Sequence, residues 1–128
     1  MTEPLFLLDS NILIYVLQGS DCVASRRIQS CPVGTVVTSA IVYGEVMRGI
    51  VAHEPQRAHQ VEQFFELIAV LPYDATAAAA YARLPFRRGR LDRLIAAHAL
   101  SAGLTLVTNN EADFADVAGL RIENWTVA

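Results

Sequence analysis

Leu5-Phe6-Leu7-Leu8-Asp9-Ser10-Asn11 is the stretch on which the fold turns. Four apolar residues form a run suited to a buried strand, and the run stops abruptly at a carboxylate. Asp, Ser and Asn are all favoured helix caps, so a helix is expected next. Residues 11–17 are apolar and reach Gly19, a natural residue just past a helix end. Strand, acid, helix is therefore the opening unit.

The same alternation continues. Strand-like runs are read at residues 5–8, 35–38, 69–71, 105–108 and 121–125, with helical stretches between them. Residues 20–30 make a second short helix. Ser39 or Thr38 caps a third, running to about Val51. Pro55 fits the first turn of a helix over 55–68. Asp74 caps an Ala-rich helix over 75–84, and the helix over 91–102 closes at Gly103. The order β-α-α-β-α-α-β-α-α-β-α-β predicts an α/β protein with a parallel central sheet of roughly five strands and helices on both faces. Right-handed crossovers then bring the carboxyl ends of the strands to one edge, where ligands bind in open α/β sheets.

Acids gather on that edge. Asp9 closes the first strand. Glu45 lies in the helix after the second, within Ile41-Val42-Tyr43-Gly44-Glu45-Val46-Met47. Asp92 opens the helix Leu94-Ile95-Ala96-Ala97-His98-Ala99-Leu100. Asp113 follows the fourth strand by a short loop, with Glu111 and Asp116 competing for its role. Each alone reads as a cap, a turn residue or an exposed helix position. Jointly they are harder to dismiss, because carboxylates crowded on one rim repel one another. A divalent cation removes the repulsion, and oxygen-only ligation suits Mg²⁺ or Mn²⁺. Carboxylate-held cations orient water against phosphodiesters.

The 128 residues predict a single domain over 1–128, with 53% apolar and 18% charged residues, a globular balance. No apolar run spans a bilayer, and the N-terminus lacks the basic region of a signal peptide, so the cytoplasm is the expected compartment. Cys22 and Cys31 show no ligand spacing and are expected as reduced thiols. Net charge is −3, which argues against nonspecific nucleic-acid binding by the whole surface. Yet Arg83, Arg87, Arg88, Arg90 and Arg93 fall within eleven positions. That run reads either as a solvated helix end or as a local phosphate-binding edge. The apolar helix over 55–68, with Phe64 and Phe65, offers an interface for self-association.

All ten basic residues other than His are Arg; there is no Lys. Phosphatases and receiver domains that end their first strand in a functional Asp also need a Lys at the phosphoryl group, so both are excluded. A P-loop is excluded for the same reason. No Gly-x-Ser-x-Gly is present, and His98 is expected to be packed rather than catalytic.

Four blocks carry a resemblance: Phe6-Leu7-Leu8-Asp9-Ser10-Asn11-Ile12; Thr38-Ser39 with Glu45-Val46; Leu91-Asp92-Arg93-Leu94-Ile95-Ala96-Ala97-His98-Ala99; and Leu106-Val107-Thr108-Asn109-Asn110 with Asp113-Phe114 and Gly119-Leu120-Arg121-Ile122-Glu123-Asn124-Trp125. Together they resemble the PIN domain, and in detail the VapC-type toxins of bacterial type II toxin–antitoxin modules. The resemblance implies a three-layer α/β/α fold and a Mg²⁺- or Mn²⁺-dependent endoribonuclease, often a homodimer, held inactive by a VapB-type antitoxin. It makes Asp9, Glu45, Asp92 and Asp113 the metal-binding acids. Thr108 and Asn110 would order them, with Ser10 and Asn11 supporting Asp9. The Arg87–Arg93 cluster would bind the RNA backbone. Thr is commoner than Ser at position 10, and two departures stand out: a shorter, more basic stretch over 85–90, and a fourth acid open between Asp113 and its neighbours. A reading of a different class is a catalytically silent module whose acidic pocket docks a basic partner segment.

Overall fold

A computed structural model describes residues 3–19, 22–85 and 91–127. Strands β1 (Phe6–Leu8), β2 (Val36–Ser39), β3 (Ala69–Leu71), β4 (Thr105–Val107) and β5 (Ile122–Glu123) form one parallel sheet in the order β3-β2-β1-β4-β5. Phe6, Leu7 and Leu8 of β1 pair with Val36, Val37 and Thr38 on one side and with Thr105, Leu106 and Val107 on the other. The chain thus builds outward from β1 through β2 to β3, then returns to the opposite side of β1 with β4. Right-handed crossovers carry the two halves over opposite faces. That reversal makes the gap between the ends of β1 and β4 the topological switch point.

Helices α1 (Ser10–Leu17), α2 (Val23–Ser30), α3 (Ala40–His53), α4 (Ala58–Leu67), α5 (Ala75–Ala82) and α6 (Leu91–Ala102) flank the sheet. Local chemistry sets their ends. Ser39 caps α3 by accepting the Ile41 N–H at 3.0 Å, and Asp74 caps α5 by accepting the Ala77 N–H at 2.9 Å. Gly19 and Gly103 leave α1 and α6 at φ of 80° and 71°, a backbone region that suits glycine. The core is built where the layers meet. Leu7, Leu8, Ile12, Leu13, Val42, Val61, Ile95, Leu106 and Val107 are all buried, and Trp125 closes it edge-on to Phe6 at 5.0 Å.

Several expectations need correction. The helix over 55–68 is two elements, a 3₁₀ turn at Pro55–Arg57 and then α4. Proline brings no N–H to that turn, and the Arg57 guanidinium bonds back to the Glu54 carboxylate at 2.9 Å and the Leu17 carbonyl at 2.6 Å. The fifth strand is short because Asn124 turns the chain, its side-chain amide oxygen Oδ1 accepting the Thr126 N–H at 2.9 Å. Between β4 and β5 stands a 3₁₀ turn, Glu111–Phe114, rather than a full helix. Phe65 belongs to the core, edge-on to Tyr43 at 4.9 Å, so only Phe64 of the pair lines a surface groove, beside Leu67. The expected helix start at Ser20, and Arg87, Arg88 and Arg90, lie outside the described residues. Both cysteines are free thiols. Among the described residues, no helix is long and apolar enough to cross a membrane.

Candidate functional site

Asp9 stands at the switch point. Its N–H continues the β1–β4 ladder to the Val107 carbonyl at 2.9 Å, and its extended backbone turns the chain into α1. One carboxylate oxygen accepts the Ser10 N–H at 2.7 Å and the other the Thr108 hydroxyl at 2.8 Å. The Thr108 oxygen in turn accepts the Asn110 N–H at 3.0 Å. Thr108 thus ties Asp9 across the crevice to the end of β4. The cap reading of Asp9 was therefore correct but incomplete, since a residue with only that role does not need to be 2% exposed.

Burial has an electrostatic cost. Desolvation pushes the Asp9 carboxyl up from its ordinary 3.8 to about 6. The Thr108 and Ser10 hydrogen bonds pull it down, and the charges of Asp92 and Glu45 push it up again. Those two acids arrive from separate elements. Glu45, on α3, is half-buried, and its Oε1 accepts the Ser10 hydroxyl at 2.6 Å. Ser10 therefore serves two acids at once, Asp9 through its amide and Glu45 through its side chain. Asp92 lies in the first turn of α6, where the helix dipole favours a carboxylate. Asn11 is exposed.

Asp113 comes from the segment after β4. It is half-buried in the 3₁₀ turn after β4, with its N–H bonded to the Asn110 carbonyl at 3.0 Å. Its competitors have other contacts: Glu111 accepts from the Asn124 amide at 3.2 Å, and Asp116 pairs with Arg93 at 2.8 Å. Among the described residues, no three His, Cys, Asp or Glu side chains stand close enough to share one ion as they are arranged.

Two further residues depart from or fill in the sequence reading. Arg93 is buried, 2% exposed, and spent on Asp116 and on the Asp113 carbonyl, so it leaves the phosphate-binding set. Nothing in the charge pattern of an Arg run distinguishes an inward residue from an outward one. His98 is packed as expected, edge-on to Tyr73 at 5.5 Å, with Nδ1 2.7 Å from the Ser39 hydroxyl. Burial lowers its pKa. Ser39 also accepts the Ile41 N–H, so one hydroxyl joins the α3 cap to the His98 imidazole.

The chemistry of these acids, rather than a gathered set of ligands, is what suits a divalent cation. The donors are all carboxylate oxygens, and a buried carboxylate lies under the field of two others. A hard dication relieves both penalties at once.

Comparison with known proteins gives a consistent answer. The PIN domain family model matches residues 6–120. The tRNA(fMet)-specific endonuclease VapC of Shigella flexneri is 36% identical over 130 aligned positions, covering 94% of this chain and 98% of that protein. Ribonuclease VapC2 of Haemophilus influenzae is also 36% identical, covering 94% and 97%. Among solved structures, DNA-bound VapBC from Salmonella typhimurium superposes with a TM-score of 0.85 at 31% identity, covering 95% and 98%. VapBC2 from Rickettsia felis, bound to a DNA fragment from the promoter, superposes at 0.82 and 25% identity, covering 94% and 98%.

Proposed function

The chain belongs to the PIN-domain family, and on that premise we propose that it is a divalent-metal-dependent endoribonuclease acting as the toxin of a toxin–antitoxin pair. The observation that carries this reading is the buried Asp9 carboxylate, held at the β1–β4 switch point under the charges of Glu45 and Asp92. Relatives of similar length named as ribonucleases, one of them specific for tRNA(fMet), support RNA as the substrate. The VapBC complexes support a VapB-type antitoxin as partner.

Asp9, Glu45 and Asp92 would hold the ion, with Asp113 as the fourth acid in preference to Glu111 and Asp116, both engaged elsewhere. We assign Mg²⁺ as the ion, with Mn²⁺ as its substitute. When bound, the ion neutralises charge on the phosphodiester and acidifies water. The protein's own part is positioning. Thr108 fixes the Asp9 carboxylate across the crevice, and the Ser10 hydroxyl holds Glu45 toward it. Burial of Asp9 keeps bulk water from competing for its oxygens. The single sheet and its continuous core support one domain over the full chain.

Expression of the chain alone should arrest growth and leave cleaved cellular RNA, while Asp9→Asn at equal abundance should do neither. Co-expression of the cognate antitoxin should relieve the arrest. Equal arrest and equal RNA cleavage by Asp9→Asn would reject the proposal.

A further inference from the structure

Arg93 follows Asp92 directly, yet its side chain is 3% exposed and reaches the segment after β4. Nη2 donates to the Asp113 carbonyl at 2.6 Å and to Asp116 Oδ1 at 2.8 Å, and Nη1 donates to Asp116 Oδ2 at 3.3 Å. The fork therefore takes a main-chain carbonyl and, three residues on, a carboxylate. It spans the end of the 3₁₀ turn that carries Asp113. Bidentate geometry of this kind fixes direction as well as distance.

The segment is also tied at its ends, by Thr108 to Asp9 at 2.8 Å and by the Asn124 amide to Glu111 at 3.2 Å. Between Val107 and Ile122 the chain leaves the sheet, apart from the Thr108 N–H bonded to the Glu123 carbonyl at 3.0 Å. Phe114 and Val117 sink into the core and set the depth of the turn. At Asp113 itself the N–H is held within the turn by the Asn110 carbonyl at 3.0 Å, and the carbonyl is held from α6 by Arg93.

We propose that Arg93 is a positioning residue for the metal site: its fork holds the Asp113 turn against the first turns of α6, keeping the fourth acid on the same rim as Asp92. This rests on the reading of the acids as metal-holding. A guanidinium beside a metal site would ordinarily oppose a cation. Here its charge is matched by Asp116, so α6 gains the clamp without presenting a bare positive charge to the ion.

The test is a double-mutant cycle read by Mn²⁺ affinity, from calorimetry or from the paramagnetic signal of free Mn²⁺. Arg93→Met should weaken Mn²⁺ binding roughly tenfold or more, the usual effect of losing a group that orders a ligand. In an Asp113→Asn background the same substitution should add nothing, because the acid through which Arg93 acts is gone. Arg93→Lys, which keeps the charge but lacks the fork, should recover only part of the loss. Thermal midpoints should fall equally in both backgrounds, which separates stability from positioning. If Arg93→Met does not fold, Asp116→Asn loosens the clamp from the more exposed side and should weaken Mn²⁺ in the same direction. Unchanged Mn²⁺ affinity, or equal weakening with and without Asp113, would overturn the proposal. Asp9→Asn is the control for the underlying reading. If it loses Mn²⁺ while the Arg93 and Asp116 variants do not, positioning alone fails; if it binds Mn²⁺ as the unsubstituted protein does, both fall.

Discussion

Asp9 concentrates the conflict that defines this molecule. Its pKa is raised from 3.8 to about 6, so the folded state binds the Asp9 proton more tightly than the unfolded chain does. Between those values folding takes up a proton, and stability falls as pH rises through the window. At neutral pH the ionised, metal-free site costs on the order of 2–3 kcal/mol, from about 1.4 kcal/mol per unit. Asp9→Asn removes that penalty. Its thermal midpoint, without metal, should exceed that of the unsubstituted protein at pH 7.5, and the gap should shrink toward pH 4. A gap independent of pH would place the penalty elsewhere. Divalent metal should raise the midpoint of the unsubstituted protein and not that of the variant. At metal concentrations below saturation, RNA cleavage should fall as pH drops through about 6, where a proton competes for the same oxygens. Thr108 supplies a bond that lowers this pKa. Thr108→Val should therefore move the acid limb to higher pH and weaken metal binding about tenfold, as measured by cleavage against metal concentration at several pH values. An unmoved limb would mean that the hydroxyl does not set the state of Asp9.

The caps and strand ends were largely legible, because they follow from local chemistry. Asp74 was readable as a cap from its place before an Ala-rich run, and it accepts the Ala77 N–H at 2.9 Å. Asp74→Ala should cost about 1 kcal/mol of stability in denaturant unfolding and leave cleavage unchanged. A matching loss of cleavage would tie α5 to the site. What escaped were links between distant elements. The Ser10 hydroxyl meets Glu45 across 35 positions, and Ser39 meets His98 across 59. No periodicity encodes such a meeting. The split at Pro55–Arg57 escaped too, since it depends on where Arg57 finds the Leu17 carbonyl. Arg93 escaped for the opposite reason: its local context, an Arg run, pointed outward, while Asp116 and the Asp113 carbonyl drew it in.

The whole molecule places its chemistry through topology. The order in which strands are added reverses at β1, and that reversal opens a crevice between the ends of β1 and β4. Asp9 and Thr108 close it from either side, while α3 and α6 bring Glu45 and Asp92. The parallel five-stranded sheet was foreseeable from alternating runs, and the acids from their places at strand and helix ends. The residue series does not say how the four acids meet; the fold brings the charges of Glu45 and Asp92 to bear on Asp9 and carries Asp113 on the 3₁₀ turn after β4. Because the same central strands form the core and carry the site, damage to one reaches the other. Leu106→Ala, in fully buried β4, should cost about 2–5 kcal/mol in denaturant unfolding and reduce cleavage through loss of folded protein. The central claim is that the switch-point acids are the metal centre of a ribonuclease. Its most direct test is the rate at which purified protein cleaves RNA as Mg²⁺ is varied, beside Asp9→Asn and Asp92→Asn. The account predicts a saturable Mg²⁺ dependence, abolition by chelator, and a loss of about a hundredfold or more in each variant, since the ion supplies several kcal/mol of charge stabilisation. Cleavage that persists in chelator, or that both variants match, would contradict it.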